Sequence, residues 1–300
     1  MRSGGLANRL ETSMTVPFPR RRLTAALQVA AALAAAVLLV ACGGGTSTED
    51  SGQGGQISHV HGLGVNPADN AVYIATHHGL FRIEQGTARL VGEARDDFMG
   101  FTVAGPNMFL ASGHPAPGTG GPSNVGLIES TDAGTTWHQR SLAGQADFHA
   151  LDYAHGTVYG YDATAATLRT STDKTTWDRR ARITAADIVA SPADLTTVLA
   201  TTERGVAAST DGGRSFAPPR SSAVQVFLAW PAMTTLYGVD PAGTLSMSAD
   251  TGATWTRVST IPGGQPQAFT AVDAHHVLAA TTDGIYESRD AGVTFARLLP

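Results

Sequence analysis

The chain has 300 residues, 42% of them hydrophobic and 15% charged, which is enough apolar material for a sizeable core and excludes wholesale disorder. Its 34 Gly and 15 Pro follow no triplet period, which excludes collagen and favours many turns between short strands over long helices. One Cys excludes a disulfide framework, and a formal charge of −5 with a single lysine, Lys174, provides no basic stripe for nucleic acid.

In chain order, the first element is Arg20-Arg21-Arg22 followed by Leu23 to Ala41, apolar except for Thr24 and Gln28, the layout of an export signal. Leu39-Val40-Ala41-Cys42 with Gly43-Gly44-Gly45 after it resembles the lipobox of bacterial lipoproteins. That resemblance implies a signal peptide over 1–42 and lipidation of Cys42, with the chain anchored on the extracytoplasmic face of the cell membrane. An uncleaved spanning anchor is the competing reading, because such a span needs about 20 apolar residues. Either way the rest lies outside the cytoplasm. Beyond residue 42 there remain 15 basic and 24 acidic residues, a formal charge of −9, which does not seek anionic lipid. Residues 43–56, GGGTSTEDSGQGGQ, read as a flexible tether, leaving 57–300 for the folded domain.

Within 57–300 one octapeptide recurs: Ser130 to Trp137, Ser209 to Phe216, Ser248 to Trp255 and Ser288 to Phe295, with a copy one residue shorter at Ser171 to Trp177. Its Asp residues, Asp132, Asp173, Asp211, Asp250 and Asp290, step by 41, 38, 39 and 40 residues. A four-stranded propeller blade repeats at about 40 to 45 residues. Asp can bond turn amides, Gly accepts positive φ, and the aromatic re-enters the core, all of which suit a hairpin end. The octapeptide resembles the Asp-box, or BNR repeat, of sialidases, sortilin-type receptors and photosystem II assembly-factor-like propellers. In that family the box is structural, between the third and fourth strands of a blade. Blades are expected over 57–95, 96–143, 146–182, 184–219, 222–260 and 265–299, an all-β six-bladed propeller of four-stranded antiparallel blades.

Strands alternate direction, so each first-strand start shares a face with the second-to-third connection, opposite the octapeptides. This rule sends His59, His61, His77, His78, His114 and His149 to one rim, called the top, with Met99 at the matching first-strand place of blade two. His61, His78, His114 and His149 are the expected ligands of a metal, with His59, His77 and Met99 as auxiliaries. Imidazole and carboxylate suit zinc, copper or nickel, and a nearby Met tilts the choice towards copper. The same rule places Asp162, Asp187, Glu203 and Asp240 on the top as candidate carboxylates. The resemblance to sialidases raises exo-acting glycoside hydrolysis as an alternative, but no arginine triad or Tyr nucleophile can be assembled to support it. Binding of an envelope protein, a glycan or a metal ion is the leading reading. The longest top connection, His114 to Asn124, reads as a tolerated surface loop, with a lid or partner contact as the second reading.

Overall fold

The computed structural model describes Ile57 and residues 59–300. The signal-peptide, Cys42 and tether assignments lie outside them. Strands follow wherever apolar residues alternate between turn signals, and they form six antiparallel sheets of consecutive strands. Blade one is β1 (Val60–Val65), β2 (Val72–Thr76), β3 (Gly79–Glu84) and β4 (Thr87–Leu90); blade two is β5 (Asp97–Gly105), β6 (Met108–His114), β7 (Leu127–Ser130) and β8 (His138–Ser141). Blade three is β9 (Phe148–Ala154), β10 (Thr157–Asp162), β11 (Thr167–Ser171) and β12 (Asp178–Arg182). Blade four is β13 (Ile188–Ala190), β14 (Val198–Thr202) and β15 (Gly205–Ser209); blade five is β16 (Phe227–Ala232), β17 (Thr235–Val239), β18 (Thr244–Ser248) and β19 (Thr256–Thr260). Blade six is β20 (Pro266–Ala271), β21 (Val277–Thr281), β22 (Gly284–Ser288) and β23 (Ala296–Leu299).

The first strands of successive blades touch in turn, and β1 meets β20, so the ring closes as a six-bladed propeller. All six first strands line one central channel. Blade four departs from the expected four strands. Its outer segment makes a single bridge, Ala208 to Ala217, because Pro218 and Pro219 follow at once and have no N–H for a ladder. The core is a set of apolar layers between blades: Ile74 and Phe81 lie with Leu278 and Ile285, and Leu168 and Tyr159 with Val198 and Ile188. Closing the ring leaves no inner edge free for pairing with another chain.

The four full octapeptides fold alike. In the first, the Ser130 hydroxyl donates to Asp132 Oδ1 (2.8 Å) and accepts from Gly134 N (2.8 Å). Thr136 N–H and its hydroxyl close the turn on the two carboxylate oxygens (2.9 and 2.7 Å). Asp211, Asp250 and Asp290 make the same set with Ser215, Thr254 and Thr294. The shortened copy closes with Asp173 Oδ1 accepting from Thr175 N and Thr176 N. These carboxylates are consumed by their own turns.

Candidate functional site

The top rim is built by the starts of β1, β5 and β9 and by the ends of β2 and β6. His59 and His61 are two residues apart, so their side chains share a side, and their rings stand 4.8 Å apart at 65°. His77, in the β2–β3 turn, meets them, its ring 4.4 Å from that of His61 and 5.5 Å from that of His59. Asp97, the first residue of β5, completes the group. His61 Nε2 lies 3.2 Å from His77 Nδ1, His77 Nδ1 lies 2.8 Å from Asp97 Oδ1, and His61 Nε2 lies 3.4 Å from the same oxygen. Burial, then the charge of His77, pushes His61 down to about 4 against the pull of Asp97, so its imidazole is neutral at neutral pH. His59 is lowered for the same two reasons.

A second group stands on the neighbouring blades. His149 Nε2 donates to Asp147 Oδ2 at 2.9 Å, and His114 Nε2 lies 3.8 Å from that oxygen. Burial opposes ionisation of Asp147, but the hydrogen bond from His149 and the charges of His149 and His114 outweigh it and hold the carboxyl low. His149 is raised chiefly by that same bond. Asp97 and His114 are direct cross-strand partners on β5 and β6, so the groups share a wall. Gly113 makes this approach possible: its φ is +143°, and a Cβ there would collide with the Asp97 carbonyl. Each group feels the other, since Asp97 raises His149 and His149 lowers His61.

The structure therefore does not bring His61, His78, His114 and His149 into one set. His77 and His78 are adjacent, their rings 6.5 Å apart, but His77 joins the group while His78 is exposed. Met99 lies half-buried in the β5 bulge between Phe98 and Gly100. Asp97 and Asp147 were not singled out in the sequence, although they stand two residues before Met99 and His149, the place that His59 holds before His61.

The candidate carboxylates are dispersed. Asp162 is buried and clamped by Arg169 Nε and Nη2 at 3.0 and 2.6 Å. Asp240 accepts from Ala242 N and Thr244 N within its own turn. Glu203 is exposed in the β14–β15 turn. Asp187 lines the channel together with Asp152, each bonding an amide of the next blade, Leu228 N and Ala190 N. Burial pushes Asp187 up to about 7.

No known protein family and no curated protein matches the chain in sequence. Solved structures do. The GH74 enzyme of Niastella koreensis aligns at 16% identity and a TM-score of 0.56, over 80% of this chain and 37% of that one. The GH74 xyloglucanase of Xanthomonas campestris aligns at 18% and 0.52, over 80% and 45%. YCF48 bound to D1 peptide aligns at 13% and 0.52, over 82% and 83%. The likeness is one of fold. The propeller spans less than half the length of the two GH74 chains, and 83% of the YCF48 chain is matched.

Proposed function

We propose that the chain is a lipid-anchored, extracytoplasmic propeller whose top rim binds a transition-metal ion, zinc or copper, and through it an envelope ligand or partner. One observation carries the metal: His61 Nε2, His77 Nδ1 and Asp97 Oδ1 stand 2.8 to 3.4 Å from one another. Three ligands bonded at about 2.0 to 2.1 Å to one tetrahedral zinc stand about 3.3 Å apart, so the donors need to move only a few tenths of an ångström. Two imidazoles and a carboxylate suit zinc or copper(II), and three protein ligands leave a position for His59, water or a ligand atom. The export signal and Cys42 support the location. The peptide bound by YCF48 supports a protein segment as one class of partner, with a glycan as the other.

Titration of the full chain with Zn²⁺ and Cu²⁺, followed by calorimetry, tests this. Binding should weaken by more than about 100-fold in His77→Ala and in Asp97→Asn, since losing even an outer-shell partner costs about 10- to 100-fold. Unchanged binding in both variants would remove the site. In cells producing the chain, Cys42→Ala should shift it from the membrane fraction to the soluble fraction.

The GH74 neighbours favour glycoside hydrolysis as the second reading. A glycosidase needs two carboxylates facing one bond at about 5 to 9.5 Å. Asp162 and Asp240 are occupied by Arg169 and by turn amides, so binding ranks first. Turnover of xyloglucan or a sialoside by the metal-loaded chain would reverse that order.

A further inference from the structure

His114 sits where the long blade-two connection leaves β6, and that connection returns to it. Ser123 near its far end places its carbonyl oxygen 3.1 Å from His114 Nδ1. A carbonyl only accepts, so Nδ1 carries the proton, and in the neutral ring Nε2 presents its lone pair. Nε2 lies 3.8 Å from Asp147 Oδ2, beyond hydrogen-bond reach. The arrangement is the one that orients metal-bound histidines, with one ring nitrogen tied to a carbonyl and the other free to ligate.

Asp147 gives a second, independent sign. It is only 7% exposed, and its Oδ1 is buried without a hydrogen-bond partner among the described residues. A buried carboxylate oxygen left unpaired costs on the order of a lost charged hydrogen bond unless something binds it. Its backbone is fixed on both sides: Ala163 N donates to the Asp147 carbonyl (2.9 Å), and Phe148 N donates to Ser112 Oγ (3.0 Å). The carboxylate is thus held in place and half-used. One ligand atom from each of His114, Asp147 and His149 falls within 4.8 Å of the others, wider than the first group but closable by small rotations of two half-exposed imidazoles.

We infer that the rim holds a second transition-metal ion, ligated by His114 Nε2, the Asp147 carboxylate and His149 Nε2. It rests on the same reading of the rim as a metal-binding surface. The proton that His149 Nε2 shares with Asp147 in the metal-free chain passes to solvent as the metal takes its place. The long connection then acts neither as a bare loop nor as a lid, because its Ser123 carbonyl fixes the tautomer of His114.

Equilibrium dialysis of the full chain against Zn²⁺, with metal counted per chain, tests the inference. Wild type should hold two ions, Asp147→Asn one, Asp97→Asn one, and the double variant none. His114→Ala repeats the second arm at a half-exposed position where misfolding is not at issue, and it too should hold one. A single ion in wild type, still present in Asp147→Asn and His114→Ala, overturns the second site and leaves the first. Two ions in both of those variants overturn it equally. No ion in any form defeats the metal reading altogether.

Discussion

Asp187 stands at the head of β13, accepting from Ile188 N and Leu228 N, each at 2.8 Å. Burial dominates these two bonds and, with the like charge of Asp152, lifts its carboxyl to about 7. An unfolded Asp titrates near about 3.9, so between about pH 4 and pH 7 the native chain holds a proton that the unfolded chain has released. Stability then falls as pH rises through that window and levels off above it. Asp187→Asn is isosteric with the protonated form and has no such term. We expect the thermal midpoint of wild type minus that of the variant to drop between pH 5 and pH 8, most steeply below pH 6 and half as steeply at pH 7. A pH-independent difference would show that the carboxyl is ionised in the channel throughout. The buried Glu129, paired with Lys174 and Arg140, behaves oppositely: burial opposes its charge, but the two cations overcome this and hold the carboxyl low. Lys174, the chain's single lysine, thereby joins the degenerate turn of blade three to blade two.

Among the hairpins, the octapeptide glycines do more than close turns. Gly134 and Gly292 have φ of +85° and +82°, and a Cβ on either would run into a Leu of the preceding blade, Leu80 or Leu245. Gly252 has nearly the same φ, +78°, but a Cβ there would meet only ordinary contacts, Trp255 and Val206 at 3.5 Å. The left-handed backbone costs an Ala about 1 kcal/mol at each site, and overpacking adds about 1 to 3 kcal/mol where the Leu is buried. Chemical denaturation should therefore rank Gly134→Ala and Gly292→Ala well below Gly252→Ala in stability. Equal losses in all three would mean that the turn alone requires Gly. This contrast explains what the sequence could disclose. The forty-residue period made the ring and its two faces readable, since strand direction follows from counting strands. It also carried the signal for Asp97 and Asp147, because aligning the blades at Met99 and His149 puts both carboxylates at the place of His59. What it could not carry was the division of the imidazoles into two groups. That depends on which of His77 and His78 turns inward and on Gly113 drawing β5 against β6, and neither is a matter of spacing. The loss of the third ladder in blade four is written in Pro218-Pro219, which a count of repeats does not weigh.

Each blade is built from consecutive strands, so among the described residues no strand from one end of the ring completes the blade at the other. The ring is therefore closed by packing, with Val60, Leu63, Ile74 and Phe81 of blade one against Leu278, Ala280, Ile285 and Leu299 of blade six. A polar link spans this seam, Val60 N donating to Gln267 Oε1 at 3.1 Å. The internal seam between blades three and four is made the same way, with Ile188 buried against Tyr159 and Leu168. A closed ring differs from an open stack of repeats, in which each unit leans only on its neighbours and an end can fray. Here blades one and six have the same two-sided support as the others, so the closing seam should be no weaker than an internal one. Ile285 and Ile188 are 2% and 3% exposed, which makes their truncation a matched pair. We expect Ile285→Ala and Ile188→Ala each to cost about 2 to 5 kcal/mol, and each to unfold in one transition by calorimetry and by tryptophan fluorescence. A second, earlier transition in Ile285→Ala alone, with faster amide exchange confined to β1 to β4 and β20 to β23, would show that the ring opens at its seam before it unfolds. His59, His61 and His77 belong to blade one and Asp97 to blade two, so such opening would also slacken the metal rim. Metal added to Ile285→Ala should then recover part of the lost stability only if the ring had remained shut.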